Sequence, residues 1–312
     1  MERVVFGPGY ALLLGAVILL AVCPGASGNQ ETAGTALSRS TGNHLFAPVH
    51  INQRPAWFAV DTGAALTIVD SAKAKALGLQ FRGGAVQLPR QIDVNNRTVP
   101  VAHVDALQVG LTNLGSGPVA LIDLKEFRGR LRETGNYVPM DGIIGLDILQ
   151  RFGAVIDCGK QRIYLQVNED ASRDVLRFVH DQRYKMIPLR IARSGALEVE
   201  GTLGTHHYSF VVDTGGFATL IPLRVAAQNG VAVLGTTVNA KGIHAKEKPV
   251  GLGLTPGLQL GRYQLGPTLV GVTALPDGPE DLQFPFGGLI GADFLFSRHG
   301  VIDVKHQRLY FK

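Results

Sequence analysis

The chain has 312 residues, 46% of them hydrophobic, which is enough to bury a sizeable core in one or two domains. Lys and Arg (30) exceed Asp and Glu (25) by only five, and no basic tract with interleaved aromatic residues occurs, so no nucleic-acid partner is expected. The 39 glycines and the low aromatic content (7%) are typical of a turn-rich β protein.

Residues 1–28 have the pattern of an export signal. Arg3 gives a positive start, residues 10–22 form a short apolar run, and Ala26-Ser27-Gly28 offers small residues for cleavage before residue 29. The apolar run is shorter than the roughly 20 residues that span a bilayer. A secreted or periplasmic protein is therefore expected. Leu20-Ala21-Val22-Cys23 also resembles a bacterial lipoprotein site, so membrane contact is expected only if Cys23 is lipidated or the signal is retained.

Residues 29–42 are polar and small and are predicted to form a disordered leader. The first lobe, predicted over residues 43–167, is built around the stretch Phe58-Ala59-Val60-Asp61-Thr62-Gly63-Ala64. An apolar run leads into an acid and a glycine, and a second apolar run follows at 66–69. This pattern predicts a strand, a tight loop and another strand. Asp70 and Ser71 can cap a helix over 72–77 that stops at Gly78.

A linker is predicted at 168–186, and a second lobe over 187–312 repeats the design of the first. Its central stretch, Phe210-Val211-Val212-Asp213-Thr214-Gly215-Gly216, stands 152 positions after its counterpart. Pro222 can open a helix over 223–227 that stops at Gly230. Further matched segments are 106–110 with 257–261, 142–149 with 288–295, 155–165 with 301–311, and Pro48-Val49-His50-Ile51 with Pro188-Leu189-Arg190-Ile191.

The paired Asp-Thr-Gly triplets resemble the aspartic peptidases. Each triplet is followed, near the end of its unit, by an apolar-apolar-Gly segment that ends at Gly145 or Gly291. The individual units resemble the retroviral type, whereas the presence of both units in one chain resembles the pepsin-like enzymes. The resemblance extends over both predicted lobes. It implies a mostly β, bilobal aspartic-protease fold, in which two β-barrel-like lobes with short helices are fused in tandem and related by a pseudo-two-fold axis.

The resemblance also implies a catalytic dyad of Asp61 and Asp213 that activates a water to hydrolyse a peptide bond. Two carboxylates held close together are costly to ionise at once, so the pair should share one proton. Covering hairpins, or flaps, are expected within 86–100 and 236–249, and neither contains the tyrosine that pepsin-like flaps carry. The residues expected to support the catalytic loops are Thr62, Gly63, Thr214, Gly215, Gly145 and Gly291.

Other acids recur in both lobes and have structural interpretations. Asp147 and Asp293 each open a short predicted helix, where a carboxylate satisfies N-terminal amides. Asp157 and Asp303 precede predicted hairpin turns. Cys158 lies beside an apolar strand and is predicted to be a buried, inert thiol. The histidines form no His-Glu-x-x-His pattern, and no Gly-x-Ser-x-Gly or Walker sequence occurs, so neither a metal nor a cofactor is expected.

Together these patterns predict an exported, monomeric aspartic endopeptidase that acts on peptides or proteins. The alternative, from another class, is a catalytically inactive aspartic-protease-like module that binds extended peptides in the same cleft. Intact triplets in both lobes favour the enzyme, because a binding module has no chemical need for two carboxylates forced together. The sequence does not distinguish which aspartate is the acid and which the base, how many flaps function, or which side chains the pockets prefer.

Overall fold

A computed structural model of the chain describes residues 34–81, 83–87, 98–165, 170–240 and 247–312. Short strands dominate these ranges. The strands up to the end of the first lobe are β1 (Thr35–Ala36), β2 (Ser38–Arg39), β3 (Leu45–Ile51), β4 (Arg54–Val60), β5 (Ile68–Asp70), β6 (Ala85–Gln87), β7 (Thr98–Val109), β8 (Thr112–Ile122), β9 (Arg128–Arg130), β10 (Tyr137–Pro139), β11 (Gly142–Ile144), β12 (Val155–Asp157) and β13 (Arg162–Tyr164).

The rest of the chain contributes thirteen further strands within the described ranges. They are β14 (Lys185–Pro188), β15 (Arg190–Ile191), β16 (Leu197–Leu203), β17 (His206–Val212), β18 (Leu220–Pro222), β19 (Val233–Ala240), β20 (Lys248–Thr255), β21 (Leu258–Leu260), β22 (Tyr263–Gln264), β23 (Thr268–Thr273), β24 (Phe286–Ile290), β25 (Val301–Asp303) and β26 (Arg308–Phe311). The helices are α1 (Leu146–Arg151), α2 (Asp170–Asp181), α3 (Leu223–Gln228) and α4 (Ala292–Ser297). Among the described residues, no helix is long and apolar enough to cross a membrane.

The first lobe is a closed sheet with a hydrophobic interior. Its strand order is β2-β3-β4-β11-β5-β8-β7-β6, and an extra pairing between β3 and β7 closes the barrel. Strand β11 lies between β4, to which it is parallel, and β5, to which it is antiparallel. Fully buried side chains such as Phe58, Val60 and Ile144 fill this region. The central position of β11 holds the end of β4, and with it Asp61, against the barrel core.

The second lobe repeats this arrangement around β24, which is parallel to β17 and antiparallel to β18. The long strand β7 of the first lobe corresponds to two strands here, β20 and β21, separated by Pro256 and Gly257. Proline has no N–H to donate to a strand ladder, so the break falls at this point. The second lobe therefore keeps the strands that carry its Asp-Thr-Gly loop and differs at their periphery.

A third sheet joins the two lobes, with the order β1-β13-β12-β25-β26-β14 in the described residues. At its centre β12 and β25 are antiparallel, with Ile156 opposite Ile302, as a two-fold relation between the lobes requires. The predicted linker contains helix α2, which buries Val175 and Val179 with Val155 and Val301 of this sheet. The mostly β, bilobal architecture expected from the sequence is thus observed.

Two local expectations were wrong. Residues 72–77 do not form a helix: the segment 71–78 is a series of turns, in which Lys73 N–H bonds the Asp70 carbonyl and Leu77 N–H bonds the Lys73 carbonyl. The Asp70 carboxylate bonds Ala72 N–H at 3.2 Å and also Leu124 N–H at 3.1 Å, which ties the segment to a neighbouring loop. In the predicted leader, part of residues 29–42 is structured, since β1 pairs with β13 and β2 pairs with β3.

The expected match of Pro48–Ile51 with Pro188–Ile191 was also wrong. Strand β3 pairs with β4 as β16 pairs with β17, so the counterpart of residues 45–51 is 197–203. The segment at Pro188 instead ends β14, an edge strand of the sheet between the lobes. When the two lobes are compared, residues 45–51 are therefore aligned with residues 197–203.

Candidate active site

The two Asp-Thr-Gly loops meet at the boundary of the lobes and are held together by reciprocal hydrogen bonds. The Thr62 hydroxyl donates to the Val212 carbonyl at 2.7 Å, and the Thr214 hydroxyl donates to the Val60 carbonyl at 2.7 Å. Each hydroxyl also accepts from the opposite threonine N–H at 3.0 Å. Both threonines are fully buried, so these four bonds fix the loops relative to each other.

The loop glycines let the opposite carboxylate approach the backbone. A Cβ at Gly63 would lie 2.6 Å from Cγ of Asp213, and a Cβ at Gly215 would collide with the carboxylate of Asp61. Each aspartate also accepts from its own loop. Asp61 Oδ1 receives N–H groups of Gly63 at 2.7 Å and Ala64 at 3.2 Å, while Asp213 Oδ1 receives those of Gly215 at 2.8 Å and Gly216 at 2.9 Å. Any side chain at either glycine would push the carboxylates apart.

The side chains of Asp61 and Asp213 are hydrogen-bonded to each other. Burial raises the pKa of Asp61, and this effect outweighs the lowering by the bond to Asp213, by the Gly63 N–H and by nearby His44. A proton is therefore retained between the two carboxyl groups more readily than on an isolated aspartate in water. Since the groups interact directly, their protons belong to the pair.

Gly145 and Gly291 lie directly against the catalytic loops. A Cβ at Gly145 would collide with the main chain of Leu66, and one at Gly291 with the main chain of Ala218. Their N–H groups donate to the hydroxyls of Thr67 at 3.1 Å and Thr219 at 3.2 Å. The strands that end here also hold the aspartates, because Asp61 N–H bonds the Ile144 carbonyl at 3.1 Å and Asp213 N–H bonds the Ile290 carbonyl at 3.0 Å.

Comparison with protein families identifies the first lobe. Residues 47–148, which contain Asp61-Thr62-Gly63 and Gly145, match the family model described as aspartyl protease. This segment is similar to the aspartyl protease family. The match supports a peptidase, a hydrolase whose substrates are peptides or proteins. No curated protein matches the chain.

The second Asp-Thr-Gly loop lies outside the matched segment, and its likeness to the first rests on geometry. Strand β24 pairs with β17 through Phe210, Val211 and Val212 in the register in which β11 pairs with β4 through residues 58–60. The bonds to Thr62 and Thr214 are equal in length in the two directions. Both lobes therefore present an aspartate at the same position of the same strand-loop unit.

The other recurrent acids have the structural partners expected from the sequence. Asp147 Oδ1 accepts from Ile148 N–H at 2.8 Å, and Asp293 Oδ1 accepts from Phe294 N–H at 2.7 Å, at the starts of α1 and α4. Asp157 and Asp303 bond main-chain N–H groups of their hairpin turns. Burial raises the pKa of the Cys158 thiol to about 12, as expected for an unreactive cysteine.

The expected flaps are only partly visible. In the first lobe β6 pairs with β7, and in the second β19 pairs with β20, which gives the arms of an antiparallel hairpin in each case. The tips, residues 88–97 and 241–246, lie outside the described residues. The number of functional flaps stays an open prediction. Within the described ranges, no three His, Cys, Asp or Glu side chains form a group that could hold a metal ion.

One site residue was missed by sequence reasoning. His44, directly before β3, has its pKa lowered by burial, while the Asp61 carboxylate acts in the opposite sense. Its counterpart in the second lobe is Ala196, directly before β16. The signal was the constant offset between the lobes, which pairs residue 44 with residue 196 once β3 is matched to β16.

Proposed function

We propose that the protein is an aspartic endopeptidase that hydrolyses internal peptide bonds with a water activated between Asp61 and Asp213. The observation that carries the proposal is the set of reciprocal bonds between the Thr62 and Thr214 loops, which bring the two carboxyl groups into hydrogen-bond contact. A purely structural pair of loops has no need for two carboxyl groups in contact, since their joint ionisation is costly.

The chemistry follows from one shared proton. The ionised carboxylate removes a proton from water as the water oxygen attacks the peptide carbonyl carbon, while the protonated carboxyl polarises the carbonyl oxygen. A tetrahedral diol forms, the carbon–nitrogen bond then breaks, and the nitrogen leaves with a proton supplied by the pair. The products are a carboxylic acid and an amine, with no covalent link to the enzyme.

The substrate we propose is an extended segment of peptide or protein. Such a segment bonds main chain to main chain and places its side chains in alternate pockets, which suits a cleft between two sheets. The arms β6–β7 and β19–β20 support one covering hairpin from each lobe. Closure of such hairpins would exclude water other than the reacting one.

We further propose that one chain is sufficient and that it acts outside the cytoplasm. Each lobe of the single chain supplies one aspartate, so a monomer contains a complete dyad. The signal pattern of residues 1–28 supports release into the periplasm or the medium after cleavage before Asn29. Cell fractionation tests the proposed localisation, and mass spectrometry of the recovered protein determines its N-terminus.

The experiment is cleavage of a mixed peptide library between pH 3 and 8 by the wild-type protein and by Asp61→Asn and Asp213→Asn. We expect internal cuts, and a loss of at least about a hundredfold in each variant, because each removes one acid–base group. Asp181→Asn, at an exposed aspartate of α2, is the matched control and should cleave normally. Cleavage that survives either dyad variant would reject the mechanism. Binding of peptides without cleavage at any pH would point to the inactive module instead.

A further inference from the structure

The first lobe carries a short hairpin between β8 and β11 that has no counterpart in the second lobe. Strand β9 pairs with β10, so that Arg128 lies opposite Pro139 and Arg130 lies opposite Tyr137. The corresponding segment of the second lobe, residues 274–285 between β23 and β24, contains no strand. Its charged residues are all acidic: Asp277, Glu280 and Asp281. The two lobes therefore differ here in both structure and charge.

The two faces of the hairpin have different surroundings. On the inner face Gly129 and Val138 are buried, and a Cβ at Gly129 would collide with the ring of Phe46. The residues of the outer face are exposed: Arg128, Arg130, Tyr137 and Pro139. Since alternate residues of a strand point to opposite sides, the packing of the inner face fixes the direction of the outer one.

The outer face holds two guanidinium groups beside one aromatic ring. Cζ of Arg128 lies 5.3 Å from the ring centre of Tyr137, and Cζ of Arg130 lies 6.0 Å from it. Arg130 Nε also donates to the Gly135 carbonyl at 3.2 Å. Within the described ranges, neither arginine has a carboxylate at salt-bridge distance. The ring restricts both side chains in advance, so they lose less freedom when they bind an anion.

The hairpin belongs to the part of the first lobe that surrounds the catalytic loop. Val138 shares a buried apolar cluster with Ala64, the residue that follows the Asp-Thr-Gly triplet, and with Val99 of the flap arm β7. Val86 of the other arm, β6, packs against the same cluster. The hairpin, the catalytic loop and the flap arms are therefore built on one core.

The hairpin also borders the second lobe. The Arg130 carbonyl accepts from Thr41 N–H at 2.7 Å, and Arg132 donates to Asn43 Oδ1 at 2.9 Å. Asn43 in turn donates at 3.0 Å to the carbonyl of Phe217, which lies just after the second Asp-Thr-Gly loop. These contacts place the hairpin at the boundary of the lobes, beside the place where the two catalytic loops meet.

We infer that Arg128 and Arg130 bind an acidic side chain of the substrate, so that the enzyme prefers peptides with Asp or Glu at one position near the cut. The inference rests on the proposed function and names the substrate class, which the dyad alone leaves undecided. A guanidinium group binds a carboxylate through two parallel hydrogen bonds. The acidic segment 274–285 disfavours the same side chain in the second lobe, so the charge also selects the direction in which the peptide lies.

The first test measures the preference during cleavage. The peptide that wild type cleaves best in the mixed library is synthesised with Glu or Gln at each position in turn. At one position we expect kcat/KM to be about threefold to tenfold higher with Glu. The ratio should fall in Arg128→Gln and in Arg130→Gln and reach one in the double variant, with the Gln peptide cleaved as by wild type. It should also weaken below pH of about 4.3, where free Glu becomes protonated.

The control removes a similar arginine elsewhere. Arg262 is exposed in the β21–β22 hairpin, with Cζ 5.1 Å from the ring centre of Tyr263, which packs 5.7 Å from Phe311 of the sheet between the lobes. Arg262→Gln changes the net charge as each test variant does and should keep the full preference for Glu. Replacement of both Arg128 and Arg130 by Glu should reverse the preference, from Glu to Lys at the same position. An unchanged preference in that variant would overturn the inference.

The second test requires no turnover. Two fluorescent peptides, with Glu-Ala and Gln-Ala repeats, are titrated into Asp61→Asn, and binding is followed by anisotropy. We expect the Glu peptide to bind about threefold to tenfold more tightly at low salt, and the difference to shrink as salt is added. The difference should disappear when Arg128→Gln and Arg130→Gln are added to Asp61→Asn. Equal binding of the two peptides, or a difference that survives these changes, would reject the inference.

The outcomes separate this inference from the proposed function. If cleavage requires both aspartates but the ratio of Glu to Gln persists in the double arginine variant, the dyad stands and the inference falls. If the aspartate variants cleave normally, the proposed mechanism falls, and the anisotropy titration still decides whether the arginines bind acidic peptides. Vesicles with phosphatidylglycerol test another anionic partner. Vesicle binding that is lost in the double variant, with an unchanged peptide preference, would assign the arginines to a lipid surface and overturn the inference.

Discussion

The turn before the first barrel strand of each lobe makes the clearest contrast in the molecule. In the first lobe, residues 40–44 reach across the cleft, with Asn43 bonding the Phe217 carbonyl and Arg39 stacked 3.5 Å from the ring centre of Phe296 in α4. In the second lobe, residues 192–196 fold back, because Ser194 and Arg190 bind Asp281 of their own lobe. Arg190 also pairs with buried Glu198, where the first lobe has Phe46.

The loops beside these turns show the opposite behaviour. The bonds made by Thr62 have the same lengths as those made by Thr214, and Gly145 and Gly291 lie in the same relation to their loops. The threonine bonds that bring the two aspartates together are thus matched between the lobes, whereas the neighbouring turns make different contacts in each lobe. Within the loops the two carboxyl groups differ at one residue, because Ala64 donates to Asp61 at 3.2 Å whereas Gly216 donates to Asp213 at 2.9 Å.

The strongest test of the matched Asp-Thr-Gly loops compares two single variants, Gly63→Ala and Gly215→Ala. Each added methyl group would meet the opposite carboxylate, so both variants should lose at least about a hundredfold in kcat, since small displacements of reacting groups are costly. Gly117→Ala is the control, because a Cβ there would meet no atom within 4 Å. A normal rate in either loop variant would mean that the carboxyl groups are not in contact in the active enzyme.

Thr62→Val and Thr214→Val test whether the two lobes contribute equally. Each substitution leaves a buried carbonyl and a buried N–H of the other lobe without a partner. We expect a loss of about 3 kcal/mol in the free energy of unfolding in both, since each such group costs about 1–3 kcal/mol. Urea unfolding measures it, with exposed Thr205→Val expected to change stability by less than about 0.5 kcal/mol. Clearly unequal losses would show that one lobe holds the junction alone.

The sequence predicted the two matched Asp-Thr-Gly loops and missed the turn before β3, which differs between the lobes. The triplets and the two apolar-apolar-Gly segments recur because the same backbone geometry is needed twice, and that need leaves a motif. The turn at residues 40–44 leaves none, since its counterpart at 192–196 differs in sequence and its bond to the Phe217 carbonyl joins the two lobes. Pro48 and Pro188 begin similar alternating segments in the sequence, but Pro48 lies inside β3 and Pro188 ends β14, and alternation does not reveal the partner strand. Residues 71–78 form turns instead of the expected helix, and Asp70 bonds both Ala72 and Leu124 N–H groups, a tertiary contact that the capping pattern does not reveal.

A smaller effect on stability should separate Asp61→Asn from wild type as the pH changes. Burial raises the pKa of Asp61, so the folded state binds its proton more tightly than the unfolded chain does. The native carboxyl thus stabilises the fold most at acid pH and loses that contribution as the pH rises through its folded pKa. Thermal melts should show that the stability of Asp61→Asn rises relative to that of wild type between acid and neutral pH. A constant difference between the two proteins would contradict the raised pKa.

Asn43→Gly makes the first turn resemble the second, where Gly195 occupies the equivalent position. Asn43 and Gly195 both have positive φ, 68° and 80°, so glycine adds no strain. The loss of the bond to Phe217 should cost about 1 kcal/mol in unfolding free energy. Asn113→Gly, at an exposed position near the start of β8, is the control. An unchanged unfolding free energy would show that the bond to the Phe217 carbonyl does not stabilise the contact between the lobes.

We expect the smallest effect on stability from a substitution in the sheet that joins the lobes, at a position where the two lobes are alike. Cys158 follows β12 as Val304 follows β25, and both side chains are about 1% exposed. Cys158→Val copies the second lobe into the first at similar volume, so the unfolding free energy should change by less than about 1.5 kcal/mol. The wild-type thiol should resist alkylation until the protein unfolds, because burial raises its pKa to about 12. Rapid alkylation of the native protein would show that this sheet opens, and that the two lobes are less firmly joined than the matched strands indicate.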